Sequence, residues 1–136
     1  MGSSRTRHYR ASRGVDEWIT GFDRGLRTLT GIHQAARPNP AEDVAEADLT
    51  TQERSHVAGL MRVNHTGEVC AQALYEGQAL MASDTNAKAS LMSAAAEEQD
   101  HLVWCRSRLR ELDVRPSLLD PVFFGLSFAV GAAAGL

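Results

Sequence analysis

Three residues of this sequence have the types and the spacing of metal ligands. Glu98 and His101 form a Glu-x-x-His pair in a stretch with helical periodicity, and three residues turn a helix by about 300°, so both side chains lie on one face. Glu68 lies on the apolar stripe of the preceding helical stretch. Burying an unpaired carboxylate is costly, so such residues are neutralised, ion-paired or bound to a metal. The pattern therefore indicates a metal site between two helices.

The register of the two helices supports this interpretation. If Asp84 marks the turn of a helical hairpin, Glu68 lies about 24 Å and Glu98 about 21 Å from it, at about 1.5 Å per residue. In an antiparallel hairpin, Glu68, Glu98 and His101 then converge on one point. Two carboxylates and one imidazole suit iron or manganese better than a structural zinc site, which prefers thiolates and more imidazoles.

Other polar residues near the stripe are less suited to bind the metal. His65 and Tyr75 are expected to pack in the core or to contact the ligands without binding the metal. Glu53 and His56 form a second Glu-x-x-His, but His56 lies about 18 Å from Glu68 along the same helix. We interpret Glu53 as the acid of a capping box and His56 as a surface residue.

The acidic neighbour of the site and the two cysteines are interpreted as structural. Glu97 is turned by about 100° from Glu98 and is expected to face solvent. Cys105 shares a stripe with His101 and is expected in the interior, whereas Cys70 packs elsewhere. The two cysteines form neither a Cys-x-x-Cys pair nor a disulfide framework, which fits a reducing compartment.

Helices must position these residues, and the composition favours helices. The 136 residues suffice for one domain, and 43% apolar with 23% charged residues excludes a fully disordered chain. Aromatic residues make up 6% and few β-branched runs occur, whereas Ala and Leu are plentiful. The net charge of -3 gives no reason to expect a nucleic-acid partner. No stretch reaches the roughly 20 apolar residues that cross a bilayer.

Periodicity and turn residues divide the chain into segments. We expect a flexible basic arm over 1–14, an amphipathic helix over 15–30, a linker over 31–49 and a helical domain over 50–136, with the hairpin at 50–112 and an apolar helix at 117–136. The apolar side of 15–30 either docks on the core of the domain or lies in a membrane interface. The helix at 117–136 either faces a membrane or is a buried helix of a bundle.

Several motifs together resemble the demethoxyubiquinone hydroxylase family. They are Asn-His-Thr-Gly-Glu within 60–68, Tyr-Glu-Gly-Gln at 75–78, Glu-Glu-Gln-Asp-His-Leu at 97–102, and the segments 21–29 and 115–121. The members of this family are ferritin-like di-iron monooxygenases of ubiquinone biosynthesis. The resemblance covers about residues 15–136.

The resemblance implies an all-α fold of the ferritin-like four-helix-bundle family. It also implies that Glu68, Glu98 and His101 bind iron, with two irons in a complete site, and that O₂ hydroxylates the ring of a polyprenylated demethoxyubiquinol. Such a substrate implies peripheral attachment to the cytoplasmic side of the cell membrane. The Arg- and Ser-rich start is also similar to a mitochondrial presequence, so the alternative is the mitochondrial inner membrane. Expected partners are a second copy of the chain or other ubiquinone-biosynthesis proteins.

The number of ligands departs from the pattern of the family. Ferritin-like di-iron sites take a Glu from each of two helices and a Glu-x-x-His from each of the other two, and this sequence supplies one of each. We therefore expect residues 50–136 to be the first half of such a domain. The alternatives are a homodimeric ferritin-like iron-binding protein and an inactive truncated fragment.

Overall fold

The computed structural model describes the backbone of residues 5–136 and the side chains from residue 14 onward. Within this part the fold is all-α, as expected. The helices are α1 (Arg5–Thr30), α2 (Thr51–Met81), α3 (Thr85–Glu111) and α4 (Asp120–Ala134). No helix in the described part is both long enough and apolar enough to cross a membrane.

Side-chain caps fix the ends of the hairpin formed by α2 and α3. At the start of α2, the Thr50 hydroxyl accepts from the Glu53 amide at 3.3 Å, and the Thr50 amide donates to the Glu53 carboxylate at 2.9 Å. At the start of α3, the Asp84 carboxylate accepts from the Ala87 amide at 2.7 Å. Such caps satisfy amide groups that have no partner within the helix. They leave residues 82–84 as the turn of an antiparallel pair.

Helix α4 packs closely against α2 through glycines. A Cβ atom at Gly77 would overlap the backbone of Phe128, and one at Gly131 would overlap the backbone of Leu74. The two backbones therefore touch along this contact. The helix is shorter than the segment 117–136 expected from the sequence, because it begins beside Pro121, which has no N–H group and fits the first turn of a helix.

Helix α1 begins earlier than the sequence analysis predicts. The helix predicted over 15–30 starts at Arg5, so the flexible arm predicted over 1–14 is wrong from residue 5 onward, while residues 1–4 lie outside the described part. The stretch 5–13 contains neither Gly nor Pro, so the amphipathic helix extends toward the N-terminus without a break.

The apolar stripe of α1 faces outward. Trp18 is 58% exposed and Phe22 is 70% exposed. The opposite side contacts the rest of the protein: Thr28 is buried, and Gly25 lies against the ring of Phe124 on α4. Of the two alternatives for the apolar side of 15–30, docking on the core of the domain is therefore wrong, because α1 docks through small and polar residues.

The connection between α1 and α2 has no regular helix or strand over residues 31–50. It runs along α3, and two charged residues of α3 hold it. The Asp100 carboxylate of α3 accepts from the Ala36 amide at 2.7 Å and from Arg37 Nε at 2.6 Å. Further along, Arg108 of α3 donates to both carboxylate oxygens of Glu46, at 2.5 and 2.7 Å.

Candidate metal centre

The hairpin brings the three candidate ligands together. Glu68 of α2 and Glu98 and His101 of α3 each offer one ligand atom, and these atoms lie within 4.8 Å of one another. His101 Nδ1 lies 3.0 Å from Glu98 Oε2 and 3.7 Å from Glu68 Oε2. The level register of the two helices and the Glu-x-x-His spacing produce this convergence.

Two carboxylates that face each other make this site electrostatically unusual. Burial, together with the nearby Glu98 carboxylate, raises the pKa of Glu68 to about 7, although His101 opposes the shift. Like charges in partly desolvated surroundings disfavour a second ionised carboxylate. A bound cation would remove this penalty, so the donor set fits a metal ion of the kind that takes carboxylate and imidazole ligands.

The cluster lies on an open side of the hairpin. The side chains of Glu68 and Glu98 are 21% and 19% exposed, and that of His101 is 40% exposed. On the same side of α2, Asn64 is exposed and its amide donates to the buried Cys105 Sγ at 3.7 Å.

His65 and Tyr75 do not contact the ligands in the way the sequence analysis allowed. His65 is fully buried, and its Nδ1 lies 3.1 Å from Asp120 Oδ2 at the start of α4. Asp120 Oδ1 accepts from the Thr66 hydroxyl at 2.7 Å. His65 precedes Glu68 by three residues, so the two side chains differ in direction by about 60° around the helix axis. This difference is enough to turn His65 toward α4. Tyr75 is half-buried, and no polar contact joins it to the cluster within the described side chains.

Burial shifts the pKa of His65. Desolvation lowers the pKa of this imidazole, and the nearby Asp120 carboxylate acts in the opposite direction. The buried imidazole beside a buried carboxylate gives a polar link between α2 and α4. This link begins one helical turn before Glu68.

The residues interpreted as structural have the expected places. Glu53 completes the capping box of α2, and His56 and Glu97 are exposed. Cys105 is buried in the interior, and burial raises the pKa of its thiol. Cys70 is half-buried and is not part of a disulfide.

Asp100 is a residue at the site that the sequence analysis missed. It stands between Glu98 and His101 in the chain, is buried, and binds Ala36 and Arg37 of the connection. Burial alone would raise the pKa of Asp100, but the hydrogen bonds from Arg37 and Ala36 outweigh this effect and lower that pKa. Asp100 lies outside the apolar stripe of α3, so helical periodicity did not indicate which residues it contacts.

Trp104 is a second contact that periodicity could not reveal. Its ring lies 5.4 Å from the His101 ring, and the Arg37 guanidinium lies 5.6 Å above it. The connection and Trp104 thus support the side of α3 that carries His101.

Two curated relatives that the chain matches share one name. The chain is 58% identical over 122 residues to the 3-demethoxyubiquinol 3-hydroxylase of Burkholderia cenocepacia strain J2315, which covers 89% of this chain and 59% of that protein. It is 56% identical over 131 residues to the 3-demethoxyubiquinol 3-hydroxylase of Acinetobacter baylyi, covering 96% of this chain and 60% of that protein. The chain thus spans about three fifths of the length of these curated relatives. No solved structure gives a significant match.

The family of the chain follows from a match to residues 55–136, which include the whole candidate cluster. The matched family is described as "Ubiquinone biosynthesis protein COQ7". The match covers more than half of the chain, and the all-α hairpin agrees with a ferritin-like member. The chain belongs to the COQ7 family of ubiquinone biosynthesis proteins.

Proposed function

We propose that this chain carries ligands of the iron centre of a 3-demethoxyubiquinol 3-hydroxylase, which adds a hydroxyl group to the ring of a polyprenylated quinol with O₂. The convergence of Glu68, Glu98 and His101 within 4.8 Å is the observation that carries the proposal. The names of the relatives supply the substrate and the reaction.

Iron fits this donor set. Carboxylate and imidazole ligands suit iron. The buried Cys105 thiol accepts a hydrogen bond from the Asn64 amide and is not part of the cluster. Glu68, Glu98 and His101 would hold the iron, which supplies the redox chemistry that activates O₂ when bound. The protein residues fix the position of the ligands, with Trp104 packed beside the His101 ring.

The remaining ligands of a di-iron centre come, in this proposal, from a second helical pair. Ferritin-like centres use two Glu and two Glu-x-x-His, and the cluster contains one of each. The relatives are longer than this chain, and we place the second pair in their additional length. It would pack on the open side of the hairpin, where the ligands are partly exposed.

Attachment to a membrane surface is the second part of the proposal. Helix α1, which carries the exposed apolar stripe, contacts α4 on its other side, and the α4 side chains Val122, Leu126 and Val130 are also more than half exposed. An amphipathic helix with Trp and Phe on its apolar side suits a membrane interface. We place this surface on the cytoplasmic side of the cell membrane, with the mitochondrial inner membrane as the alternative, where it can receive a long-tailed quinol.

Rescue of ubiquinone synthesis tests the enzymatic proposal. The chain would be continued by the C-terminal part of the Burkholderia cenocepacia relative and expressed in a strain that lacks demethoxyubiquinol hydroxylase. We expect rescue by this protein and by its Glu97→Ala variant, because Glu97 is exposed, but no rescue by Glu98→Ala. Rescue by Glu98→Ala at the normal level would contradict the assignment of the ligand.

A homodimeric iron-binding protein is the second candidate, favoured by the open side of the cluster. Two copies joined through this side would bring together two Glu and two Glu-x-x-His. Anaerobic loading with Fe²⁺ followed by sizing distinguishes the candidates. A dimer with about one iron per chain would support self-assembly, and a monomeric chain with iron would exclude it. An aggregated chain without iron would indicate an inactive fragment.

A further inference from the structure

Arg37, in the connection between α1 and α2, contacts two residues of α3 that are close to the candidate ligand His101. Its Nε donates to Asp100 Oδ2 at 2.6 Å, and its guanidinium carbon lies 5.6 Å from the centre of the Trp104 ring. Asp100 directly precedes His101 in the chain, and Trp104 follows it by three residues, almost one helical turn. The two contacts of Arg37 therefore lie on either side of His101 along α3.

The Trp104 ring in turn contacts the His101 imidazole. The two ring centres lie 5.4 Å apart, and the ring planes are tilted by 42°. The indole Nε1 is buried without a hydrogen-bond partner in the described part of the chain, so no hydrogen bond there fixes the rotation of the ring. Packing therefore holds the Trp104 ring, and the guanidinium of Arg37 is part of that packing.

The His101 side chain needs such support because it is 40% exposed. Its Nδ1 lies 3.0 Å from Glu98 Oε2 and 3.7 Å from Glu68 Oε2. These carboxylates are themselves candidate ligands, so they do not fix the imidazole independently of the metal. A side chain that is already held in its binding orientation loses less conformational freedom when it binds, and this raises affinity.

The connection itself holds Arg37 in position. The Ala36 amide donates to Asp100 Oδ1 at 2.7 Å, beside the bond from Arg37 to Oδ2 of the same carboxylate. The Asp100 side chain is 5% exposed, whereas that of Arg37 is 50% exposed. An arginine can bind a carboxylate and stack on an aromatic ring at the same time, because its guanidinium is planar and has five N–H groups. Asp100 thus fixes the guanidinium where it covers Trp104.

We propose that Arg37 is a positioning residue of the metal centre: bound to Asp100, it holds the Trp104 ring, which keeps the His101 imidazole in the orientation that binds the metal. The proposal deepens the proposed function and rests on it, because His101 is assigned there as a ligand. It gives the connection a part in the centre, although the ligand cluster contains no residue of the connection.

Charge and positioning predict opposite effects of removing Arg37. A guanidinium repels a metal cation, so the loss of its charge would by itself leave metal affinity unchanged or raise it. Loss of the support for the ligand weakens binding instead, so we expect Arg37→Gln to bind Mn²⁺ about tenfold more weakly than the parent chain. The matched control is Arg115→Gln, which removes the same charge at an exposed position outside these contacts. It should bind at least as tightly as the parent.

Variants of Trp104 show whether the effect of Arg37 passes through this ring. Trp104→Phe keeps an aromatic ring beside the guanidinium and should bind Mn²⁺ nearly as the parent does. Trp104→Leu should weaken binding to about the same extent as Arg37→Gln. Adding Arg37→Gln to Trp104→Leu should cause little further loss, because both changes remove the same support. Circular dichroism checks that each variant is folded.

NMR of the metal-free chain measures the imidazole directly. The aromatic Trp104 ring shifts the signals of nearby imidazole protons, so the Hε1 signal of His101 should move in Arg37→Gln. The signals of His56, which is exposed on α2, and of His65, which is buried beside Asp120, should stay. This measurement does not depend on a metal, and a general loss of stability would not single out His101.

The outcomes separate failure of the positioning role from failure of the centre. Parent-like Mn²⁺ affinity in Arg37→Gln, or an unmoved His101 signal in that variant, would overturn the positioning role and leave the centre intact. The role would also be overturned if Arg37→Gln weakened binding as much in Trp104→Leu as in the parent. A parent chain that binds no Mn²⁺ would contradict the proposed centre itself, and with it the ligand that Arg37 positions.

Discussion

At the scale of single residues, the chemistry of the candidate centre depends on how close Glu68 and Glu98 are. Partial burial and then the nearby Glu98 carboxylate make the ionisation of Glu68 harder and raise its pKa to about 7. The His101 imidazole alone does not offset the electrostatic cost of ionising Glu68, whereas a divalent cation would. The residues that hold the metal are therefore also those that destabilise the metal-free site.

The first prediction concerns pH and metal affinity. A metal ion must displace the proton of Glu68, whose pKa is about 7, so affinity for Mn²⁺ should rise by up to about tenfold per pH unit below pH 7 and level off above it. Mn²⁺ titrations between pH 5.5 and 8 measure this dependence. Glu68→Gln should weaken binding and flatten the slope; an unchanged slope would contradict the role of Glu68.

The same group sets a pH dependence of stability in the metal-free chain. The pKa of Glu68 is higher in the folded state than its ordinary value, so its contribution to stability is present at low pH and is lost as pH rises toward about 7. The loss is at most about 1.4 kcal/mol per unit. Urea unfolding at several pH values measures it, and Glu68→Gln should remove this part of the dependence.

The buried pair of His65 and Asp120 leads to a second prediction. Asp120→Asn keeps the shape but removes the charge that faces His65 and Thr66, and should lower the free energy of unfolding by about 1–3 kcal/mol. Urea unfolding measures the change. The control is Asp113→Asn at an exposed position with φ 57°, where Asn is well tolerated, and it should change little. Equal effects at both positions would contradict a special role for Asp120.

At the scale of elements, α2 is the helix around which the others are arranged. One side carries Glu68 toward α3, and another packs on α4 through Gly77. The small residues of the contact with α4 permit an approach that no larger side chain allows. The position of α4, and hence of its exposed apolar side, depends on these glycines.

The third prediction tests this close contact. Gly131→Ala places a Cβ against the Leu74 backbone and should destabilise the chain by about 1–3 kcal/mol, because backbone atoms have to move. Gly125→Ala on the same helix is the control, since a Cβ there meets nothing within 4 Å. It should be neutral or stabilise by up to about 1 kcal/mol. Thermal unfolding compares the two, and similar melting temperatures would contradict the packing argument.

At the scale of the whole molecule, the candidate ligands and the apolar stripe of α1 are two separate exposed features. The side chains of Glu68 and His101 are 21% and 40% exposed, and Phe22 of α1 is 70% exposed. In the proposed function, the first surface receives a second helical pair and the second attaches to a membrane.

The fourth prediction concerns the apolar surface. Phe22→Ser removes an aromatic side chain that is 70% exposed and should reduce binding of the chain to vesicles of phosphatidylethanolamine and phosphatidylglycerol several-fold, with no loss of helix content. Co-sedimentation measures binding. The control is Val44→Ser, which changes a 69% exposed side chain in the connection and should bind as the parent does. Equal loss in both variants would contradict a specific surface.

The sequence by itself determined the local chemistry of the protein. Capping at Thr50, the hairpin turn near Asp84 and the convergence of Glu68, Glu98 and His101 all follow from short spacings and helical periodicity. These features depend on neighbouring residues and on the fixed rise and turn of an α-helix, so counting residues is enough to place them. The all-α class follows for the same reason.

Only the tertiary structure decided how the helices and the connection meet. It turned the apolar stripe of α1 outward, directed His65 to Asp120, and bound the connection to Asp100. Periodicity identifies which face of a helix is apolar, but it does not specify what that face meets. The partner is determined by contacts between residues far apart in the chain, such as the glycine contact of α2 with α4, and these exist only once the chain is packed.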